Sequence, residues 1–392
     1  MRSAADGLGW VVQPGPLSID SFGEFVRQVA GATAVSRVCI VADRHRAALP
    51  TISGLVGELV ERFDAEVHAA EDDSDELVAS IAGAGPWDVV IGVGGGVTLD
   101  VAKLVALRSD DLRRATAPGR SSRVVLPDSA RTARLALVPT TFGTGSEQSL
   151  SACLTTRGRK RLVSGTALGA DVVLARPDLL ASLDNEQVTE GLVEVALRLT
   201  TVYASGETAP LADTLTQAAL RQVVELAPRL GCGERATSDL RTLASISAFS
   251  HSGWLSRDRP PMTTLPWIIT TEASLAWSCT KAVAASLVMP AYWSVMPERD
   301  GRLGSHERLC ELWAASLPSA ATPAEALSTV TGERLAQPSG EKFTLFSDDA
   351  LAARITERWG AGLPFTGEAS RDDVREVVAA ALALGKTVAQ TL

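Results

Sequence analysis

The sequence predicts an open α/β sheet domain followed by an all-helical domain. Three observations carry this expectation. Strand and helix signals alternate from the N-terminus to about residue 177, two apolar strand runs end in glycine-bearing loops, and strand signals fade after Pro177. The domains are therefore expected at 1–177 and 178–392.

The first elements follow a βαβαβ rhythm. Arg37–Asp43 is an apolar run closed by an acid, Ile52–Phe63 has helical spacing, and Glu66–Ala70 is a short strand. Glu76–Ala84 reads as a second helix and Val89–Val93 as the next strand. This is the pattern of a Rossmann-like, mostly parallel sheet, whose ligands sit at the carboxyl ends of its strands. After Pro177, Ala/Leu-rich helical patterns dominate, as at Asp213–Leu226 and Asp372–Leu382. Gly231–Glu234 and Gln337–Lys342 read as loops, and Asp372–Glu376 as the capped start of a final helix.

Bulk properties narrow the function classes. At 392 residues, 46% hydrophobic and 21% charged, the chain can bury a large core. It has no apolar run long enough to span a bilayer, and Met1–Gly7 lacks a signal peptide's apolar core, so a cytoplasmic protein without a membrane partner is expected. A net charge of −9 argues against nucleic acid. Five scattered cysteines suggest neither a disulfide framework nor a zinc knuckle. The expected partner is a small-molecule or peptide substrate, and a homo-oligomer is compatible with the sequence.

Two loops carry the chemistry. In the first, the Val89–Val93 strand breaks into Gly94, Gly95 and Gly96 before a helix-compatible stretch that includes Thr98, Asp100 and Lys103. Glycine lets backbone N–H groups approach an anion, and a helix N-terminus favours negative charge, so this turn is a candidate pyrophosphate cradle. In the second, Leu135–Val138 leads into Pro139-Thr140-Thr141-Phe142-Gly143-Thr144-Gly145-Ser146-Glu147. Singly, such hydroxyls more often cap turns than bind ligands.

Together, Gly-Gly-Gly-x-x-x-Asp-x-Ala-Lys and Pro-Thr-Thr-x-Gly-Thr-Gly-Ser-Glu resemble the iron-dependent alcohol dehydrogenase superfamily, which includes glycerol dehydrogenase and dehydroquinate synthase. The resemblance implies a dehydroquinate synthase-like fold and NAD binding through Gly94, Gly95, Gly96, Thr98, Thr140, Thr141 and Thr144. Val97 replaces a family serine. The resemblance also places an aspartate after the first core strand, so Asp43 is expected at the adenosine ribose, favouring NAD; Arg44 beside it leaves NADP open. Asp100 and Lys103 are expected to stabilise the turn.

The resemblance further implies an aspartate and three histidines around a divalent metal, and here the chain departs from the pattern. Its four histidines are His45, His68, His251 and His306. Gly191-Leu192-Val193-Glu194-Val195 resembles a metal-ligand segment of dehydroquinate synthase, but Arg198 stands where the dehydrogenases place histidine. Trp267 and Thr271 replace the His-x-x-x-His pair, and the last histidine is Lys281, or Cys279 in a register slipped by two. An arginine and a lysine repel a divalent ion, so no catalytic metal is expected. Glu194, Arg198 and Lys281 become the candidate catalytic residues, as fixed charge in the metal's place or as ordinary ion pairs involving Glu194 and Glu272.

The expected function is a metal-independent NAD(P)-dependent oxidoreductase of a secondary alcohol. A β-hydroxy acid is a suitable substrate, since its β-keto product loses CO₂ readily without a metal. Among specialised relatives in natural-product pathways, dehydrogenases of daptide-type ribosomal peptide (RiPP) biosynthesis act on a precursor's C-terminal threonine, although no motif here reads a peptide. The alternatives are a sugar-phosphate cyclase resembling dehydroquinate synthase and an inactive scaffold.

Overall fold

The computed structural model describes residues 15–31, 35–206, 208–256, 259, 264–299, 301–332, 347–360 and 367–391. Met1–Gly7 and the expected Gln337–Lys342 loop lie outside the described residues. The chain divides into two compact units: Gln13–Ser182 with Ala236–Ser252, and Leu183–Arg235 with Gly253–Leu392.

The first unit is built on β1 (Leu17–Ile19), α1 (Phe22–Ala30), β2 (Val38–Asp43), α2 (Pro50–Phe63), β3 (Glu66–Ala70), α3 (Asp75–Gly83), β4 (Val89–Gly94), α4 (Gly96–Val105) and α5 (Ser109–Thr116). It continues through β5 (Arg123–Val125), β6 (Arg134–Pro139), β7 (Ser151–Thr156), β8 (Arg159–Ser164), β9 (Val172–Leu174) and α6 (Pro177–Leu180). Six strands form a sheet in the order β1-β9-β6-β4-β2-β3. Its pairings are all parallel, for example Ile40 opposite Ile91 and Ile91 opposite Ala136.

Strand alternation sorts this unit's core into two layers. Ile40, Ala42, Ile91, Val93 and Val138 pack on one face with Phe25 of α1 and Ile52, Leu55 and Leu59 of α2. Cys39, Val41, Val90, Leu135 and Leu137 pack on the other with Val78 and Ile81 of α3 and Leu99, Ala102 and Leu104 of α4. Burial on both faces explains why these strands read as continuous apolar runs. It also raises the Cys39 thiol pKa to about 12, assisted by the Glu66 charge. Because α2 and α4 cover opposite faces, the carboxyl ends of neighbouring β2 and β4 flank a topological switch point, where such sheets bind ligands.

A second sheet, in the order β5-β8-β7, was not expected from the sequence. Its β7–β8 hairpin turns through Arg157 (φ 52°) and Gly158 (φ 69°), the double positive φ that matches the natural twist of paired strands. The charges of β8 hide it: Lys160 pairs with Asp73, and Arg161 donates to the Ala115 and Ala117 carbonyls. The helix α9 (Thr237–Ser250), late in sequence, packs on α6 and belongs to the same unit.

The second unit is helical in its described residues: α7 (Asn185–Tyr203), α8 (Pro210–Gly231), α10 (Leu265–Trp277), α11 (Lys281–Val295), α12 (His306–Ser316), α13 (Pro323–Thr331), α14 (Asp348–Trp359) and α15 (Arg371–Thr391). None of the described helices is long and apolar enough to cross a membrane. The α7 start carries a capping box, in which Asp184 and Gln187 satisfy each other's backbone N–H. At α15 the Asp373 backbone N–H donates to Ser370 Oγ at 3.1 Å, and Ser370 N–H donates to Asp373 Oδ2 at 2.8 Å.

Asp373 also receives Arg302 and pairs with Arg299. Burial alone would raise its pKa, but Arg302 and Ser370 outweigh burial and hold it at about 2. A carboxylate depressed in the folded state adds stability above its unfolded pKa and loses it as pH falls toward 2. Asp373→Asn should therefore cost about 2 kcal/mol in denaturant unfolding at pH 7. The gap from wild type should close between about pH 4 and pH 2; a gap that is constant across that range contradicts the assignment.

Candidate cofactor and active-site residues

The candidate cofactor residues converge at the carboxyl ends of β2, β4 and β6. Gly95 is the N-cap of α4 with β-region dihedrals and offers no side chain to cap the helix. The first intrahelical bond runs from Leu99 N–H to Gly95 C=O at 3.0 Å. The amides of Gly96, Val97 and Thr98 thus occupy the helix's first turn, the set of N–H groups that binds phosphate oxygens in such turns.

None of Gly94, Gly95 and Gly96 has positive φ, so backbone conformation does not require glycine here. Close approach by hydroxyl side chains does. A β-carbon at Gly94 would lie 2.6 Å from Thr98 Cβ, and one at Gly96 would lie 2.8 Å from the Thr144 side chain. At Gly95 the nearest atoms, on Thr141, are 3.3 Å away, which makes it the most tolerant of the three. The threonines singled out by the second motif therefore pack directly on the glycines of the first. Thr140 donates its backbone N–H to Gly94 C=O at 2.9 Å, while its buried Oγ1 has no hydrogen-bond partner among the described residues. An orphaned hydroxyl beside an uncapped helix start fits a bound dinucleotide.

Two buried charges hold these loops together. Lys103, fully buried, donates to the carbonyls of Ser149 and Ser151 at 3.0 and 2.9 Å. Asp100 accepts from Ser146 Oγ at 2.5 Å and Cys153 N–H at 2.8 Å. Burial pushes the Asp100 carboxyl up and the Lys103 ammonium down, and each charge opposes the other's shift. The α9 helix adds two anchors. Ser247 Oγ accepts from Gly143 N–H at 2.7 Å, and His251 stands against Gly145, where a β-carbon would be 2.1 Å from its Nδ1. No local pattern in the sequence signals that α9 reaches this loop.

Asp43 ends β2 and accepts the backbone N–H groups of His45 (2.9 Å) and Arg46 (3.1 Å) through Oδ1. That oxygen shapes the turn after the strand. Arg44, the residue available to a 2′-phosphate, pairs with Glu71 instead.

Within the helical unit, Lys281 Nζ lies 3.0 Å from Glu194 Oε2, and both side chains keep some exposure, 27% and 14%. The ammonium also lies 5.5 Å from the centroid of the Trp267 ring. Of the two registers considered for the last histidine, the Lys281 side chain is the one that reaches Glu194; Cys279 is partly buried, which pushes its thiol to about 11. Arg198, one turn beyond Glu194 on α7, is half-buried, and desolvation lowers its pKa. Glu190, one turn before Glu194, is raised by burial.

Glu272 joins neither Arg198 nor Lys281 in any ion pair described. Its buried carboxylate accepts from Trp359 Nε1 at 2.8 Å and pairs with Arg354 at 2.6 Å, both from α14. Trp359 in turn meets Trp267 edge-on, with centroids 5.9 Å apart. Among the described residues, no group of three or more His, Cys, Asp or Glu side chains could hold a metal ion. A carboxylate already neutralised by an ammonium is a poor divalent ligand, so Glu194 and its neighbours do not fit the metal.

Residues 15–177 match the family model of iron-containing alcohol dehydrogenases. Long-chain-alcohol dehydrogenase 1 of Geobacillus thermodenitrificans is 31% identical over 157 residues, which is 38% of each chain. The 4-hydroxybutyrate dehydrogenase of Clostridium kluyveri is 26% identical over 164 residues, 41% of this chain and 43% of the relative. These matches thus span less than half of the relatives' lengths. The solved NADH-dependent butanol dehydrogenase A of Thermotoga maritima superposes with a TM-score of 0.79 at 16% identity, covering 95% of this chain and 98% of that one. Residues 15–177 are therefore similar to the iron-containing alcohol dehydrogenases, and the chain as a whole shares its fold with the solved butanol dehydrogenase.

The glycine turn yields a graded expectation. Gly95→Val should fold and lower NAD affinity at least tenfold, about 1.4 kcal/mol, by crowding the amides of the first turn. Gly94→Ala should instead destabilise the unit, because its new β-carbon meets Thr98. Titration calorimetry and thermal melts separate the two effects; unchanged NAD affinity in a folded Gly95→Val protein removes the cradle assignment.

Proposed function

We propose that this chain is an NAD(P)-dependent oxidoreductase of a secondary alcohol that works without a catalytic metal. The observation that carries the reading is the Lys281–Glu194 pair, 3.0 Å apart, at positions where the sequence resemblance would put metal ligands. A retained dinucleotide turn supports redox chemistry, and the homologues' descriptions as alcohol dehydrogenases support the substrate class.

Bound NAD supplies a hydride acceptor. The first-turn amides of α4 would hold its pyrophosphate, Thr140 Oγ1 would complete its hydrogen bonding there, and Asp43 would face the adenosine ribose through Oδ2. With Arg44 committed to Glu71, NAD is favoured over NADP.

On the substrate side, Lys281 and Arg198 supply positive charge. As the carbinol hydrogen leaves as hydride and the hydroxyl proton departs to water, the ammonium of Lys281 stabilises negative charge on the oxygen. Glu194 orients that ammonium. The same cations suit a substrate carboxylate, which favours a hydroxy acid. A β-hydroxy acid would give a β-keto acid that loses CO₂ unaided, and a peptide's C-terminal threonine in natural-product biosynthesis is one such substrate. The similarity to the 4-hydroxybutyrate dehydrogenase of Clostridium kluyveri is consistent with the hydroxy-acid class.

Two measurements test this reading. Chelator treatment should leave NAD-linked turnover of a hydroxy acid intact, with metal far below one equivalent by elemental analysis. Lys281→Met should lower turnover at least a hundredfold, about 2.7 kcal/mol, while NAD affinity stays within twofold. Chelator-sensitive turnover restored by added metal contradicts the proposal.

A further inference from the structure

The helix α10 contains a buried hydroxyl that its own helix does not satisfy. Elsewhere in the helices, Thr189, Thr200, Thr216 and Thr356 each return the hydroxyl to the carbonyl four residues back, at 2.6–2.9 Å. Thr271, only 5% exposed, makes no such bond, and its Oγ1 has no hydrogen-bond partner among the described residues. A buried hydroxyl left unpaired costs about 1–3 kcal/mol, so its retention calls for a ligand or a special role.

Helical geometry selects Thr271 over its neighbour. Thr270 is also unpartnered, but it shares a face with Pro266, Ala273 and Trp277, all buried. Thr271 shares a face with Thr264, Trp267, Ser274 and Ser278, the half-exposed to exposed stripe of the helix. Trp267 is one turn away on that stripe, and the Lys281 ammonium sits over its ring. Ser274 does not compensate, because its hydroxyl donates to the Thr271 carbonyl at 2.9 Å.

We infer that Thr271 is a substrate-binding residue, whose hydroxyl donates to the carboxylate of a hydroxy or keto acid held by the Lys281 ammonium along the Trp267 ring. The inference rests on the hydroxy-acid reading above and deepens it by naming a second contact to the acid. A carboxylate has two oxygens and about four acceptor sites, so a hydroxyl can share it with the ammonium.

The test uses the full-length protein with NADH bound and 3-hydroxybutyrate as probe, titrated calorimetrically. Wild type should bind it. Thr271→Val, nearly isosteric, should bind at least tenfold more weakly, about 1.4 kcal/mol, and Thr271→Ser within threefold of wild type. Thr270→Val should leave binding unchanged. Thermal melting supplies a readout that a structural role would move in the opposite sense: Thr271→Val should melt no lower than wild type, whereas Thr200→Val, which loses its bond to Ala196, should melt lower. Should Thr271→Val fail to fold, Thr271→Ala carries the same comparison. Equal binding by wild type and Thr271→Val, or equal weakening by Thr270→Val, overturns the role of Thr271 and leaves the hydroxy-acid reading standing. No binding by wild type overturns that reading, and this inference with it.

Discussion

The α/β unit depends on one fully buried ammonium. Lys103 lies on α4, yet its two hydrogen bonds go to carbonyls after the second glycine loop, Ser149 and Ser151. Asp100, one turn earlier, takes Ser146 and Cys153 from the same stretch. A buried ion pair contributes little net stability, but removing one partner leaves an uncompensated charge and costs about 3–5 kcal/mol. The pair therefore acts as a register device. It fixes the second loop against the helix whose N-terminus the first loop presents, and Thr141 and Thr144 then pack on Gly95 and Gly96. The geometry of the glycine turn is a product of that internal packing.

The helical unit shows the opposite use of charge. Lys281 and Glu194 are only partly buried, and the ammonium rests on an indole that α14 braces through Trp359 and Glu272. Glu272 is buried, accepting from Trp359 through Oε1 and pairing with Arg354 through Oε2, while Lys281 is an ammonium with three donors, of which Glu194 takes one. A site built this way offers orientation and positive charge.

Much of this was legible in the sequence, for identifiable reasons. Val38–Asp43 and Val89–Gly94 are buried on both faces, so their composition alone marks parallel strands. The glycine turn was recognisable too, although the reason for its glycines was only half visible. The motif raised the expectation of anion approach, whereas the need to admit Thr98, Thr141 and Thr144 appears only once the loops are folded together. The charged hairpin strand Arg159–Ser164 was invisible because Lys160 and Arg161 find partners in Asp73 and in the α5 end, which no local pattern reports. The same limit hid Trp359 and α9. Thr271 stood out in the sequence only as a substitution; its unsatisfied hydroxyl is a property of the fold.

The central claim is that a dinucleotide cradle coexists with an ion pair where the metal ligands of related dehydrogenases would lie. The most direct measurement is a crystal structure of the protein soaked with NAD and zinc, with anomalous diffraction collected at the zinc edge. The account predicts the pyrophosphate on the amides of Gly96, Val97 and Thr98, Lys281 still bonded to Glu194, and no anomalous peak beside them. A zinc ion coordinated by Glu194, with Lys281 displaced, would contradict it.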